Sequence, residues 1–206
     1  MTNISADLIL VLLLIMISAY LIHKISVKVA IARRTKYLEE ANRKLQMLST
    51  TDSLTGLKNR RFFSEILDEY NGLDHVGLLI LDIDNFKSIN DKFGHSVGDT
   101  VIQYVAEILK RVSKKEETIA RIGGEEFAVV ARFDNFDSAK SYGQDIVTSI
   151  EKSTPFFLSN PIQVTVSVGL RYYNQKTQLL NLEEADRLLY EAKEKGKNKV
   201  IAELGN

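Results

Sequence analysis

Two acids follow two glycines in the stretch ARIGGEEFAVV, residues 120–130. A Gly-Gly turn between apolar runs is ordinary for a β-hairpin, but Glu125 and Glu126 set two carboxylates at the mouth of its second strand. A second acidic point lies upstream, where the apolar run of HVGLLILDID ends on Asp82 and Asp84. If hairpin and strand are sheet neighbours, Asp82 and Glu125 come close enough to share a cation. Like carboxylates at that range repel unless a cation sits between them. The chemistry on offer is binding of a hard divalent ion, with Mg²⁺ the best fit and Mn²⁺ the alternative. Gly123 and Gly124, lacking side chains, leave room for a nucleotide to approach the turn backbone. Each piece alone also has a plain reading: Asp-x-Asp as a strand cap, Gly-Gly-Glu-Glu as a polar hairpin.

Other residues extend the set. Asn90 and Asp99 supply an amide and a carboxylate, the pair needed to read a guanine edge. Lys193 and Lys197, spaced one helical turn apart, would share a face and could neutralise phosphates; a solvated basic face is the alternative. Lys87 lies beside the acidic strand end, within reach of phosphate or of Glu126. Composition narrows the partners. Lys plus Arg and Asp plus Glu both number 27, for a net charge of zero, so no nucleic acid is expected as a partner. With no cysteine, disulfides and thiolate metal sites are excluded, and histidine occurs only at 23, 75 and 95, which disfavours a zinc centre.

These residues need elements to hold them. A helix over Arg60–Tyr70 is expected, capped by Asn59. Val76–Ile83 reads as a buried central strand. NFKSINDKFGHSVGD reads as a short helix and a Gly-rich loop, with a longer helix over Thr100–Val112. Strands at Thr118–Ile122 and Phe127–Ala131 flank the turn. A helix over Ser138–Ile150, a strand over 164–170, a helix over Asn181–Lys195 and a strand over Lys199–Ala202 complete the series. The order implies an α+β sheet with helices on one or both faces.

The chain divides into an anchor (1–23), a helical linker (24–49) and a domain (50–206). LILVLLLIMISAYLI, residues 8–22, carries no charge and approaches the length of about 20 residues that spans a bilayer. A buried core helix is the alternative. A cleaved signal peptide fits worse, since no basic residue precedes the apolar run. Lys24, Lys28, Arg33, Arg34 and Lys36 follow it, which places the domain in the cytoplasm, anchored to the inner membrane by one helix. With so little chain ahead of the anchor, no sensor is expected outside the cell. In the linker, Ile31, Leu38 and Leu45 recur every seven residues, with Val27, Ala41 and Leu48 on the companion seam. Arg34 interrupts this short coiled coil, read as a dimerising helix or as a lone amphipathic one.

The domain resembles the GGDEF diguanylate cyclases over about residues 50–203. DSLTGLKNRR, LDIDNFKSINDKFGHSVGD, RIGGEEF and ADRLLYEAKEKGKNKV follow that family's motifs in order and spacing. The resemblance implies a ferredoxin-like palm, shared with nucleotide cyclases, that condenses two GTP into cyclic di-GMP and two pyrophosphates as a homodimer, in bacterial second-messenger signalling. It implies Asp82, Glu125 and the Ile83 carbonyl as metal ligands, and Glu125 as the favoured general base. Glu126 takes a second ion or holds Lys87. Asn90 and Asp99 correspond to guanine readers and His95 to a further nucleotide contact. Phe86, Lys87, Lys193 and Lys197 lie where the phosphates are met. Lys197 replaces a frequent Arg, keeping charge but losing the bidentate fork. The family's inhibitory Arg-x-x-Asp falls at Lys114 and Glu117, so weak or absent product inhibition is expected. A silent nucleotide-binding module is the competing reading, disfavoured because the signature acids and guanine readers are all present.

Overall fold

The computed structural model describes residues 4–48, 50–113, 116–153 and 162–205. They form two compact units, Met1–Ser49 and Thr50–Asn206. The first unit is one helix, α1 (Ile4–Leu48), with no Pro or Gly to break it. Its apolar side chains from Leu8 to Ile22 are exposed, as are Ile31, Leu38 and Leu45 of the seven-residue series. The stretch Leu8–Asn42 is long and apolar enough to cross a membrane.

The second unit runs β1 (Lys58–Asn59), α2 (Arg60–Tyr70), β2 (Val76–Ile83), α3 (Phe86–Phe93), α4 (His95–Val112), β3 (Thr118–Arg121), β4 (Glu126–Arg132), α5 (Phe136–Lys152), β5 (Val166–Tyr173), α6 (Leu182–Glu194) and β6 (Val200–Leu204). The sheet order is β1-β3-β4-β2-β5-β6. At its centre β2 runs antiparallel to both β4 and β5, while β1 pairs parallel with β3 and β6 parallel with β5.

β2 is apolar along its run because helices cover both its faces. Val76, Leu78 and Ile80 pack with Phe63 and Leu67 of α2 and with Ala185 and Leu189 of α6. Leu79, Leu81 and Ile83 pack on the other side with Val101 and Val105 of α4 and Ile146 and Ile150 of α5. Strand alternation then carries Asp82 to the α2–α6 side. α6 lies close on β5 there: a Cβ at Gly169 would overlap the Ala185 carbonyl and the Leu189 amide.

Local differences from expectation have physical causes. The expected Gly-rich loop after Phe93 is one residue, Gly94, at φ 85, and α4 starts at His95 instead of Thr100. A single left-handed glycine reverses the chain, and Gly98 continues inside the helix. α5 begins two residues early because Asn135 and Ser138 form a reciprocal capping box. α6 stops at Glu194, so Lys197 is not on its face; it lies beyond Gly196 with φ 64. β1 is two residues long, too short to leave a pattern in the sequence.

Candidate active site

The antiparallel register of β2 with β4 sets Asp82 opposite Glu126 and brings the turn residue Glu125 alongside, with the Ile83 amide donating to the Glu125 carbonyl at 3.3 Å. Asp82 is 6% exposed, and burial pushes its carboxyl up, against the pull of Lys193. Burial and then the Asp82 charge raise Glu125 as well. Two adjoining carboxyls held above their ordinary range mark a place short of positive charge. One cation is supplied by the protein, since Lys193 Nζ from the last turn of α6 sits 2.9 Å from Asp82 Oδ1.

The turn is fixed from behind. Arg121 donates through Nε (3.1 Å) and Nη2 (2.7 Å) to the Gly124 carbonyl, and through Nη1 to both Asp52 oxygens at 3.2 Å. Asp52 also accepts from the Thr55 amide and hydroxyl. Although burial pushes the Asp52 carboxyl up, the Thr55 and Arg121 hydrogen bonds hold it below the usual range. Neither turn glycine uses a left-handed φ. A Cβ at Gly123 would crowd the Glu126 carboxylate and push it aside, while the space above Gly124 is open.

A second cluster sits where α3 meets α4. Phe86 opens α3 and is buried, and Asn90 follows one turn on. The Asn90 side-chain oxygen is buried without a hydrogen-bond partner. It occupies the space a Cβ at Gly98 would take, so this orientation of the Asn90 amide depends on glycine there. His95 and Asp99 are exposed on the first turns of α4. Lys87 is exposed on α3, and among the described residues no ion pair joins it to Glu126.

Lys197 reaches the same edge by another route. Its Nζ lies 2.6 Å from Asn85 Oδ1, in the turn that follows β2. Lys193 and Lys197 thus both address the end of β2, one from the helix and one from the loop. Asp84 is taken up by protein donors, the Thr165 and Ser167 hydroxyls and the Asn198 amide. Lys114 lies outside the described residues. Glu117 interacts with Tyr142, whose hydroxyl burial pushes far up.

Among the described residues no group of three or more His, Asp or Glu side chains is spaced to hold a metal by itself. The donor chemistry nevertheless suits a hard ion: two oxygen acids whose carboxyls are raised by burial, beside a backbone carbonyl and an open turn.

A mixed sheet covered on both faces, with an acidic end to its central strand and a glycine hairpin beside it, is a palm-type α+β domain. The chain belongs to the family "Diguanylate cyclase, GGDEF domain", which residues 49–199 match. It is 34% identical over 175 residues to diguanylate cyclase A of Treponema denticola, covering 80% of this chain and 47% of that protein. It is 37% identical over 162 residues to a membrane protein of Staphylococcus haemolyticus, covering 73% of this chain and 45% of the relative. Among solved structures, the coiled coil and GGDEF domain of DgcB from Caulobacter crescentus, in complex with c-di-GMP, is 31% identical. It matches 86% of this chain and 100% of that chain with a TM-score of 0.68. The chain spans about half the length of the curated relatives it matches.

Proposed function

We propose that this chain is a membrane-anchored diguanylate cyclase that joins two GTP into cyclic di-GMP and releases two pyrophosphates. The observation that carries the reading is the pair Asp82 and Glu125, both raised by burial, at a strand end that already attracts the Lys193 ammonium. Asp82, Glu125 and the Ile83 carbonyl would hold a divalent ion, Mg²⁺ or Mn²⁺. When bound, that ion supplies positive charge to the phosphates and acidifies the attacking hydroxyl.

The remaining work falls to the chain. Asn90, whose buried oxygen lacks a donor, takes the guanine edge together with Asp99, and His95 adds a contact from the same helix start. Phe86, Lys87, Lys193 and Lys197 hold the phosphates, leaving the α-phosphorus exposed to the 3′-hydroxyl of a second GTP. A Glu125 carboxylate oxygen accepts the hydroxyl proton as the 3′-oxygen bonds to phosphorus and pyrophosphate departs. Repeating the step with the roles of the two nucleotides exchanged closes the ring.

Each domain holds one GTP, so two chains must face each other. The exposed series Ile31, Leu38 and Leu45 on α1 supports pairing of that helix with a second copy, which raises the effective concentration of the domains. The basic residues after the apolar segment support one inner-membrane crossing with the domain in the cytoplasm. Lys114 and Glu117 in place of Arg-x-x-Asp support weak or absent product inhibition. Tight cyclic di-GMP binding that disappears on Lys114→Ala would overturn this.

The test is the purified full chain incubated with GTP and Mg²⁺. Cyclic di-GMP should form, and Glu125→Gln should abolish it while leaving the fold intact. GTP bound without product in the wild type would instead make the domain a silent nucleotide-binding module.

A further inference from the structure

We propose that Asp84 is a positioning residue whose carboxylate pins the turn after α6, so that Lys197 is delivered to the end of β2. The inference rests on the reading above, in which that turn meets the phosphates of GTP.

In an Asp-x-Asp sequence beside an ion site, both acids are natural candidates for the ion. Here they divide the work. Asp84 is 5% exposed, and both its oxygens are occupied. Oδ1 accepts from the Ser167 hydroxyl at 2.7 Å. Oδ2 accepts from the Thr165 hydroxyl at 2.8 Å and from the Asn198 amide at 3.0 Å. Its own amide donates to the Thr165 carbonyl at 2.9 Å. Three donors on one buried carboxylate leave it little capacity for a metal.

The Asn198 bond matters because of what it holds. Lys197 and Asn198 are consecutive non-glycine residues at φ 64 and φ 48. Side chains in the left-handed region crowd the backbone, and two in a row persist only where the surroundings impose them. The turn is tied at four points: the Lys197 amide to the Ala192 carbonyl (3.0 Å), the Asn198 amide to Asp84, the Asn198 side chain to Glu151 (2.8 Å) and Lys197 Nζ to Asn85 (2.6 Å). Of these, the Asp84 bond alone joins the backbone of the strained pair to the strand end that carries Asp82. Removing it frees the turn to relax, and the Lys197 ammonium moves off the site.

The experiment uses the full chain in detergent micelles, with Asp84→Ala and Asp84→Asn. Steady-state synthesis is read together with hydrogen exchange of the 195–200 backbone. Asp84→Ala should lower kcat/KM by about 10–100-fold, mainly through a higher KM for GTP, and should speed exchange at 197 and 198. Asp84→Asn should recover most of this loss, because its amide oxygen can face Thr165 and Asn198 while its NH₂ faces Ser167. A wild type that makes no cyclic di-GMP would remove the functional reading alone; exchange at 197–198 would still decide the clamp, and unchanged exchange in Asp84→Ala would overturn it. Loss in Asp84→Asn as complete as in Asp84→Ala, with a raised half-saturating Mg²⁺ concentration, would make Asp84 an ion ligand and overturn the proposal. Should Asp84→Ala fail to fold, that Mg²⁺ titration of Asp84→Asn decides by itself, an unchanged midpoint supporting the clamp.

Discussion

Lys193 Nζ lies 2.9 Å from Asp82 Oδ1, so an ammonium from the end of α6 stands beside the carboxylate proposed to hold a metal ion. A divalent ion held by Asp82 would compete with that ammonium for the same carboxylate and leave Lys193 free to face the phosphates. Lys193→Met should therefore have two effects of opposite sign. The Mg²⁺ dissociation constant of the nucleotide-free protein, read by calorimetry, should fall, while the KM for GTP should rise. The variant should also lose about 1–2 kcal/mol in urea melts, less than for a fully buried pair because Lys193 is one-third exposed.

The Arg121 fork ties the turn to the start of the domain. Arg121→Ala leaves the half-buried Asp52 carboxylate short of a partner and lets the Gly124 carbonyl move, at a cost of about 1.5–3 kcal/mol. Its pH dependence has a definite sign. The folded Asp52 carboxyl lies below its ordinary value, so its contribution is present above the ordinary carboxylate range and is lost as pH falls through the lowered value. Melts of wild type and Arg121→Ala should therefore converge toward acid pH. A gap of constant size down to the lowest accessible pH would show that Arg121 acts through packing alone.

At the guanine side, Gly98→Ala should turn Asn90 away, since a methyl group would occupy the place of its side-chain oxygen. The flexible amide can yield, so the fold should persist. The KM for GTP should rise about 10–100-fold, the cost of one good hydrogen-bonded contact, and discrimination against ATP should fall with it. Circular dichroism and competition with ATP check the two halves separately.

Glu125→Gln should abolish synthesis without weakening the domain. A carboxyl raised in the folded state favours folding at low pH, and that advantage is lost as pH rises through the raised value. The metal-free variant should melt no lower than wild type at pH 8, and the two should approach each other toward pH 4. A markedly lower melting temperature at pH 8 would show that ionised Glu125 stabilises the turn.

Much of this site could be read before the fold was seen. The apolar run of β2 is one that a doubly covered strand tolerates, and a hairpin paired beside such a strand would set Asp82 near Glu125; the β2–β4 register supplies that pairing. The Arg121–Asp52 tie joins residues 69 apart with no periodicity between them. Nothing short of the β1–β3 pairing reveals it. The pairing of Lys193 with Lys197 on one helical face failed for a reason the sequence did contain. Gly196, at φ 102, follows the last turn of α6, and glycine in that place commonly ends a helix. The part played by Gly98 was hidden because a missing side chain leaves no pattern; only the position of Asn90 gives it meaning.

The parallel pairing of β5 with β6 has a consequence for folding. The Val168 amide donates to the Lys199 carbonyl at 2.9 Å, so the segment holding Lys193 and Lys197 is seated only when the last strand arrives. Until that pairing forms, the end of β2 that carries Asp82 lacks the ammoniums of Lys193 and Lys197. Assembly of the site is therefore a late, long-range event in folding, and under the proposed function the domain would gain its phosphate-facing lysines only as its sheet is completed.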